Sequence, residues 1–265
     1  EMEGNLVEKK NAILLAVNLF TEEMSKTVDH INELEFLADT LDIKTKNKFI
    51  QKLICANSKT YFGSGKILEI KDYIKENEIN LAIIDDQLSP SQFRNLEKEF
   101  EIEILDRTCL IFKIFAKRAK TNQAKIQVEL AQYEYLLPRL KRMWTHLSRQ
   151  QGGGANMRGP GEKELETDKR IAREKISNLK DKLKKIENQS KVQKKSRDSM
   201  VKIALVGYTN VGKSTFMNLV TNSNLFAENK LFATLDSTVR KSYSKDIPFV
   251  LIDTVGFIRK LPTNL

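Results

Sequence analysis

The run AILLAVNL, residues 12–19, is apolar at nearly every position and lies between Lys9-Lys10 and the polar stretch TEEMSK. An unbroken apolar run of that length suits a strand buried on both faces. Leu34, Leu37, Ala38 and Leu41 then recur at helical spacing. FIQKLICA (49–56) is the next candidate strand, and YFGSGKILEIKDYIKEN reads as a turn opening into an amphipathic helix. NLAIIDD (80–86) and EIEILD (101–106) are two more short strands. Between them, LSPSQFRNLEKEF begins a helix with Ser89 as N-cap and Pro90 at the first helical position. This alternation over residues 1–117 predicts an α/β fold, a small parallel sheet with helices on its faces.

The pattern changes over residues 118–198. From Ile126 the apolar positions are Leu130, Tyr133, Leu137, Leu140, Trp144 and Leu147, and Ile176, Leu179, Leu183 and Ile186 repeat the same alternating spacing. Two helices with such seams are expected to pack as an antiparallel hairpin, the first kinked at Pro138. Trp144 reads as a seam residue first and a base-stacking residue second. The intervening SRQQGGGANMRGPGEKELETDKR is too rich in glycine to continue either helix and predicts a loop at the tip of an arm. Arg149, Arg158 and the backbone amides at Gly152, Gly153, Gly154 and Gly159 suit contacts to RNA phosphates or base edges. The alternative is a flexible connector. From Lys169 to Arg197 the second helix is rich in Lys and Arg.

Residues 199–265 carry the strongest chemical signal. VKIALV, a strand, leads into GYTNVGKST (207–215) and the helical FMNLV. That is G-x-x-x-x-G-K-[ST] in its strand–loop–helix setting, where loop amides and a helix N-terminus cradle phosphate. The candidate nucleotide contacts are Gly207, Tyr208, Thr209, Asn210, Val211, Gly212, Lys213, Ser214 and Thr215. Lys213 is expected on the β- and γ-phosphates and Ser214 on Mg²⁺. DTVGF (253–257) follows the apolar strand IPFVLI and adds Asp253, Thr254, Val255 and Gly256. Asp253 is the second expected metal contact, and the Gly256 amide a γ-phosphate donor. LFATLDSTVRK (231–241) lies where a γ-phosphate-sensing segment belongs, with Thr234 expected as a further Mg²⁺ ligand and Thr238 as its fallback. Lys213, Thr234 and Gly256 are the residues assigned to catalysis.

Phe257 follows Gly256, where many nucleotide hydrolases of this type carry a water-positioning Gln. A phenyl ring can neither orient nor deprotonate water. Slow hydrolysis alone and faster hydrolysis on a partner follow, since a supplied arginine finger contributes roughly 10³–10⁵ in rate. Asn210 has two readings, a residue that helps hold K⁺ beside the phosphates or a plain loop-stabilising Asn. GSGK (63–66) is too short to count as a second phosphate loop and reads as a turn before a helix.

Bulk composition narrows the partners. A net charge of +10 favours an anionic partner, nucleic acid or an anionic membrane surface. No stretch approaches the roughly 18 apolar residues of a membrane span, so a soluble, cytoplasmic protein without stable membrane insertion is expected. Two cysteines and two histidines give neither a disulfide framework nor His/Cys metal spacing.

Taken together, LSPSQFRNLEK, DRTCLIFKIFAKRAKT, RGPGEKELETDKR, GYTNVGKST, LFATLDSTVRK and DTVGFIRKLP resemble signatures of the HflX family of translational GTPases. The RGPGE loop joined to this phosphate-binding region is the most specific of them. Three departures stand out: the extra Gln in SRQQGGG, Lys163 where a small polar residue is usual, and Ser237 where proline is common. The resemblance implies a monomeric GTPase that uses GTP and Mg²⁺. Its N-terminal domain and arm would bind the large ribosomal subunit and its rRNA, with the arm tip toward the peptidyl-transferase region. It further implies that stalled ribosomes are split or rescued and that GTP hydrolysis resets the protein. An apolar residue at Phe257 is usual in the family, with the ribosome as stimulator. Guanine is ordinarily read by an N/TKxD segment on a later strand, and none occurs after residue 257. The expectation is therefore a GTPase domain represented by its first half, which by itself has little or no activity and discriminates GTP from ATP poorly. Two rival readings remain, a P-loop ATPase that remodels RNA and a non-enzymatic RNA-binding protein.

Overall fold

The computed structural model describes residues 10–139, 162–194, 200–221, 231–232, 235, 238–244 and 247–262. The chain divides into two compact units, Glu1–Ile114 and Phe115–Leu265.

The first unit is built on four parallel strands, β1 (Asn11–Leu19), β2 (Lys44–Leu53), β3 (Leu81–Ile84) and β4 (Glu103–Asp106), in the order β2-β1-β3-β4. Helices α1 (Met24–Thr40), α2 (Ser64–Glu76), α3 (Pro90–Phe100) and α4 (Arg107–Arg118) follow the strands in turn. β1 is interior to the sheet, paired with β2 on one side and β3 on the other, and its inner positions are buried on both faces, which is why they are apolar without alternation. α3 starts at a full capping box: Ser89 accepts from the Gln92 amide while the Gln92 side chain accepts from the Ser89 amide.

β2 begins at Lys44 and ends at Leu53, so the sequence expectation of 49–56 was shifted. The cause is its edge position. Lys48 bonds to Glu35 of α1 at 2.7 Å, while Phe49 packs edge-on against Tyr73 of α2 at 5.3 Å. Its early residues are thus polar and half-exposed, and they carry no apolar signal. Leu41 lies just beyond α1, as its C-cap. GSGK does open α2: the Gly63 amide donates to Gln51, and Lys66 pairs with Glu69 one turn along. α4 was not anticipated as a helix; Leu110, Ile111 and Ile114 on it are fully buried.

Two ionic clusters tie these layers together. Arg107, only 1% exposed, pairs with Asp85 at 2.7 Å and with Glu33 of α1. At the opposite end of the strands, Glu103 pairs with Lys113 at 2.8 Å and with Lys10. Burial pushes the Glu103 carboxyl upward, but the charges and hydrogen bonds of Lys113 and Lys10 together outweigh it and leave it below its ordinary value. A carboxyl depressed in the folded state contributes stability above its unfolded pKa and loses it as pH falls through the folded one. Glu103→Gln is therefore expected to flatten the acid limb of the stability–pH curve, below the ordinary carboxylate range. Urea midpoints measured across that range check this, and an unchanged acid slope would contradict it.

In the second unit, α5 (Asn122–Leu136) begins at the N-cap Thr121 and α6 (Glu162–Lys194) runs for 33 residues, about 50 Å at helical rise. They pack through Ile126, Tyr133, Ala172 and Leu179, flanked by Leu130, Leu137, Ile176, Leu183 and Ile186; Ala172 extends the seam that the spacing predicted. Ion pairs Glu129–Lys175 at 3.1 Å and Glu134–Lys180 at 2.8 Å border it. Regular α5 stops at Leu136 and continues as one 3-10 turn, Leu137–Arg139. Leu137 keeps helical angles (φ −49°, ψ −47°), so Pro138 tightens the helix where it removes a backbone donor. Leu140, Trp144, Leu147 and the glycine-rich tip with Arg149, Gly152, Gly153, Gly154, Arg158 and Gly159 lie outside the described residues.

The same unit contains a second sheet, β5 (Val201–Leu205), β6 (Thr238–Ser244) and β7 (Ile247–Asp253), in the order β5-β7-β6, with α7 (Lys213–Thr221) beside it. β5 and β7 are parallel and β6 is antiparallel to β7. Among the described residues no helix is long and apolar enough to cross a membrane.

Candidate nucleotide site

The site grows from the register of β5 on β7. Pairing Leu205 with Asp253 brings the two strand ends level, so the loop leaving β5 and the segment leaving β7 emerge side by side. The loop from Gly207 turns into α7 through two residues with left-handed φ, Asn210 (61°) and Gly212 (88°). Glycine takes that conformation freely, and Asn is among the few side chains that tolerate it.

Asp253 is 1% exposed, and its Oδ2 accepts a 2.6 Å hydrogen bond from the Ser214 hydroxyl. Its Oδ1 is buried and has no hydrogen-bond partner, an uncompensated acceptor in the interior. A serine hydroxyl on a carboxylate with a spare oxygen is an oxygen-only donor set, the type that hard divalent cations take. The residues therefore fit Mg²⁺. Lys213 folds over the loop, its Nζ donating to the carbonyls of Gly207 (3.0 Å) and Tyr208 (2.6 Å). Burial holds its pKa below the ordinary lysine value, with the Asp253 charge acting against that shift.

The segment after β7 lies directly on the loop. The Thr209 amide donates to the Phe257 carbonyl and the Phe257 amide to the Gly207 carbonyl, each at 2.9 Å. Gly256 is buried there, and a Cβ on it would stand 2.6 Å from the Thr209 Cα. The Thr254 hydroxyl donates to the Leu205 carbonyl at 2.6 Å, locking the segment to β5. Thr254 was expected among the nucleotide contacts; its hydroxyl is instead committed to the scaffold. Thr234 lies outside the described residues, whereas its fallback, Thr238, pairs with Asp253 across β6 and β7. Tyr208, Val211 and Thr215 are exposed.

Sequence reasoning took Phe257 only as a side chain and so missed that its main chain pairs with the loop. It also missed a cavity of about 720 Å³ beside the segment, lined by Val206, Thr254, Val255 and Phe257 and by Gln123 and Gln127 of α5.

Three family models match in succession. A "GTP-binding GTPase N-terminal" region matches residues 28–116, a "GTP-binding GTPase Middle Region" matches 118–197, and a "50S ribosome-binding GTPase" matches 202–264. Among curated relatives, GTPase HflX of Flavobacterium psychrophilum is 52% identical over 264 residues, covering all of this chain and 64% of that protein. GTPase HflX of Escherichia coli is 41% identical, covering 97% of this chain and 61% of its own length. The chain thus spans somewhat under two thirds of these relatives. Among solved structures, an SsGBP–GDP complex superposes with a TM-score of 0.56 at 27% identity, covering 96% of this chain and 65% of that one. A GTP-binding protein of Sulfolobus solfataricus in complex with GDP gives 0.52 at 25% identity, covering 96% and 63%. Three consecutive matches in the family's own order, with identities of 41–52% across the chain, leave one assignment: it belongs to the HflX family of GTPases.

Proposed function

We propose that this protein is a ribosome-binding GTPase that associates with the large ribosomal subunit, hydrolyses GTP to GDP and phosphate, and splits or rescues stalled ribosomes. The observation that carries the reading is the Ser214–Asp253 bond beside Lys213, which joins the loop to a carboxylate whose second oxygen is unpartnered and suits a cation. The GDP in the SsGBP complex and in the Sulfolobus solfataricus protein supports guanine as the base. The domain reading that goes with it is 1–117 as an α/β domain, 118–198 as an arm and 199–265 as the first part of the GTPase domain.

In this reading Ser214, Asp253 and Thr234 hold Mg²⁺, which would neutralise charge on the β- and γ-phosphates. Lys213 leaves its two loop carbonyls to bind the phosphates, and loop amides from Gly207 to Thr215 wrap them. Asn210 keeps two readings, a residue that would help hold K⁺ beside the phosphates or one that stabilises the loop through its left-handed φ of 61°. The Gly256 amide donates to the γ-phosphate, and the attacking water is placed by main chain or by the ribosome, because Phe257 offers no polar group. On the arm, the exposed basic side chains of α6, among them Lys182, Lys184 and Lys185, add phosphate contacts to those of Arg149, Arg158 and Gly152, Gly153, Gly154 and Gly159 at its tip.

Sedimentation with large ribosomal subunits across a salt series, with and without GTP, tests this. Binding is expected to weaken steeply as salt rises. Lys213→Ala is expected to remove nucleotide binding and any subunit-stimulated turnover while leaving salt-sensitive sedimentation in place. No sedimentation at low salt, or hydrolysis equally fast with and without subunits, would overturn the proposal.

A further inference from the structure

Residues 43–68 contain six lysines and no aspartate, glutamate or arginine. Four of the six, Lys44, Lys46, Lys48 and Lys52, lie on β2, which has a strand partner on one side only among the described residues. The pairing register decides which backbone groups face the open side. The Phe20 amide donates to the Leu53 carbonyl, so Leu53 turns its backbone toward β1. In a parallel ladder every second residue does the same, here Gln51, Phe49 and Asn47. Lys48, Ile50 and Lys52 therefore turn their N–H and C=O groups outward, where the Lys48 amide is met by the side chain of its own neighbour Asn47 at 2.8 Å. Lys48 reaches Asn32 and Glu35 of α1, whereas Phe49 packs on Tyr73 of α2, so the side chains of Lys48, Ile50 and Lys52 share the α1 face of the sheet. Lys52 stands over the Phe20 ring at 4.9 Å, and Phe20 and Ile54 leave exposed apolar surface at that end of the strand.

We propose that the open edge of β2 is a docking site for an extended acidic segment of a partner protein, which adds to the sheet as a fifth strand. Strand addition of this kind draws affinity from main-chain hydrogen bonds and specificity from alternate side chains. The charge and the backbone together select the occupant. A second copy of the chain would set its own four lysines against these, and like charges directly opposite repel. A row of nucleic-acid phosphates would answer the lysines and the outward amides, but phosphate oxygens only accept and leave the carbonyls of Lys48, Ile50 and Lys52 unmatched. A polypeptide strand supplies donors and acceptors in alternation. The order Lys48, Ile50, Lys52 on one face then sets the pattern that fits: acidic, any, apolar, any, acidic, with carboxylates opposite the two lysines and the apolar side chain against Ile50. Lys48 is already shared with Glu35 at 2.7 Å, so Lys52 is the main charged determinant of the pair.

A labelled seven-residue peptide of threonines, with glutamate at its second and sixth positions and valine at its fourth, is the probe. Titration with the protein, followed by fluorescence anisotropy, is expected to saturate. Hydrogen exchange at the Ile50 and Lys52 amides is expected to slow about tenfold in the complex. Ile50→Pro removes an outward N–H and no bond to β1, so it is expected to fold with a nearly unchanged urea midpoint and to weaken the peptide roughly fivefold. Lys52→Glu leaves the backbone intact and is expected to weaken the peptide a fewfold, with recovery when a glutamate of the peptide is replaced by lysine. No saturation at about 1 mM, equal affinity in Ile50→Pro, or unchanged exchange at both amides would overturn the proposal. A single-stranded RNA heptamer that slows the same two amides as much as the peptide does would assign the edge to nucleic acid and overturn it as well.

Discussion

Replacing Arg107 with alanine is expected to destabilise the N-terminal unit by about 3–5 kcal/mol, the usual cost of removing one partner from a buried ion pair. The guanidinium is 1% exposed and Asp85 is 4% exposed, so neither charge can be rescued by water when the other goes. Glu33 reaches the same guanidinium from α1, so the change also unties α1 from the start of α4. Net stability of a domain is commonly about 5–15 kcal/mol, which makes this loss a large fraction of the whole. At a urea dependence of roughly 1–3 kcal/mol per molar, the midpoint for opening β1 is expected to fall by about 2 M. Hydrogen exchange at the β1 amides, followed through urea, reads that unit directly. The companion change separates penalty from benefit. Arg107→Met combined with Asp85→Asn and Glu33→Gln removes all three charges, and is expected to recover most of the loss, since the damage comes from stranded carboxylates. A single variant within about 1 kcal/mol of the unaltered protein would show that water or a rearranged lysine reaches Asp85.

That cluster also marks the limit of what sequence pattern reveals. AILLAVNL announced an interior strand because β1 is covered on both faces, and Ser89-Pro90 announced a helix start because capping is local chemistry. Local signals of this kind survive any tertiary arrangement. β2 failed for the opposite reason: Lys44, Thr45, Lys46 and Asn47 form a strand because β1 offers them an edge, and nothing in their own periodicity says so. α4 was hidden by its composition, since Leu110, Ile111, Phe112, Ile114 and Phe115 are all buried and leave no polar stripe to set a helical period. Asp85 and Arg107 were visible as charges at the ends of apolar strands, but the contact joins residues 22 apart that only the sheet order β1-β3-β4 brings together.

The nucleotide site divides along the same line. Lys213, Ser214 and Asp253 were singled out because a phosphate loop needs those residue types at those spacings; the direct bond from Ser214 to Asp253 was not foreseen, each having been read as a separate metal contact. The pairing of Phe257 with Gly207 and Thr209 was not legible, because backbone hydrogen bonds carry no residue signature. Thr254 was assigned to the nucleotide by its neighbourhood in the motif, and its hydroxyl went to Leu205 because the end of β5 offers a free carbonyl at 2.6 Å. A motif gives the cast of a site; the register of two strands decides which member faces the ligand.

On the proposed function, Gly256→Ala is expected to lower ribosome-stimulated GTP turnover by about 10²-fold while leaving GDP affinity within a fewfold of the unaltered protein. The argument is spatial. A Cβ at residue 256 would lie 2.6 Å from Thr209 Cα, 2.7 Å from its Cγ2 and 2.8 Å from its amide nitrogen. Two of those three atoms are backbone, so no rotamer change relieves the clash, and residues 256–257 must lift from the loop by a good fraction of an ångström. A displacement of about 1 Å in a group that positions a reacting atom can cost 10²-fold. The Ser214–Asp253 bond and Lys213 lie outside that clash, so the contacts proposed for the diphosphate remain. The same lifting would break the two 2.9 Å bonds of Phe257. Single-turnover hydrolysis with saturating large subunits, set beside GDP and GTP-analogue affinities, separates the two effects. Turnover within threefold of the unaltered protein would mean that the Gly256 amide has no part in positioning the γ-phosphate. Loss of GDP binding together with turnover would mean that the close approach of Gly256 to Thr209 shapes the loop itself.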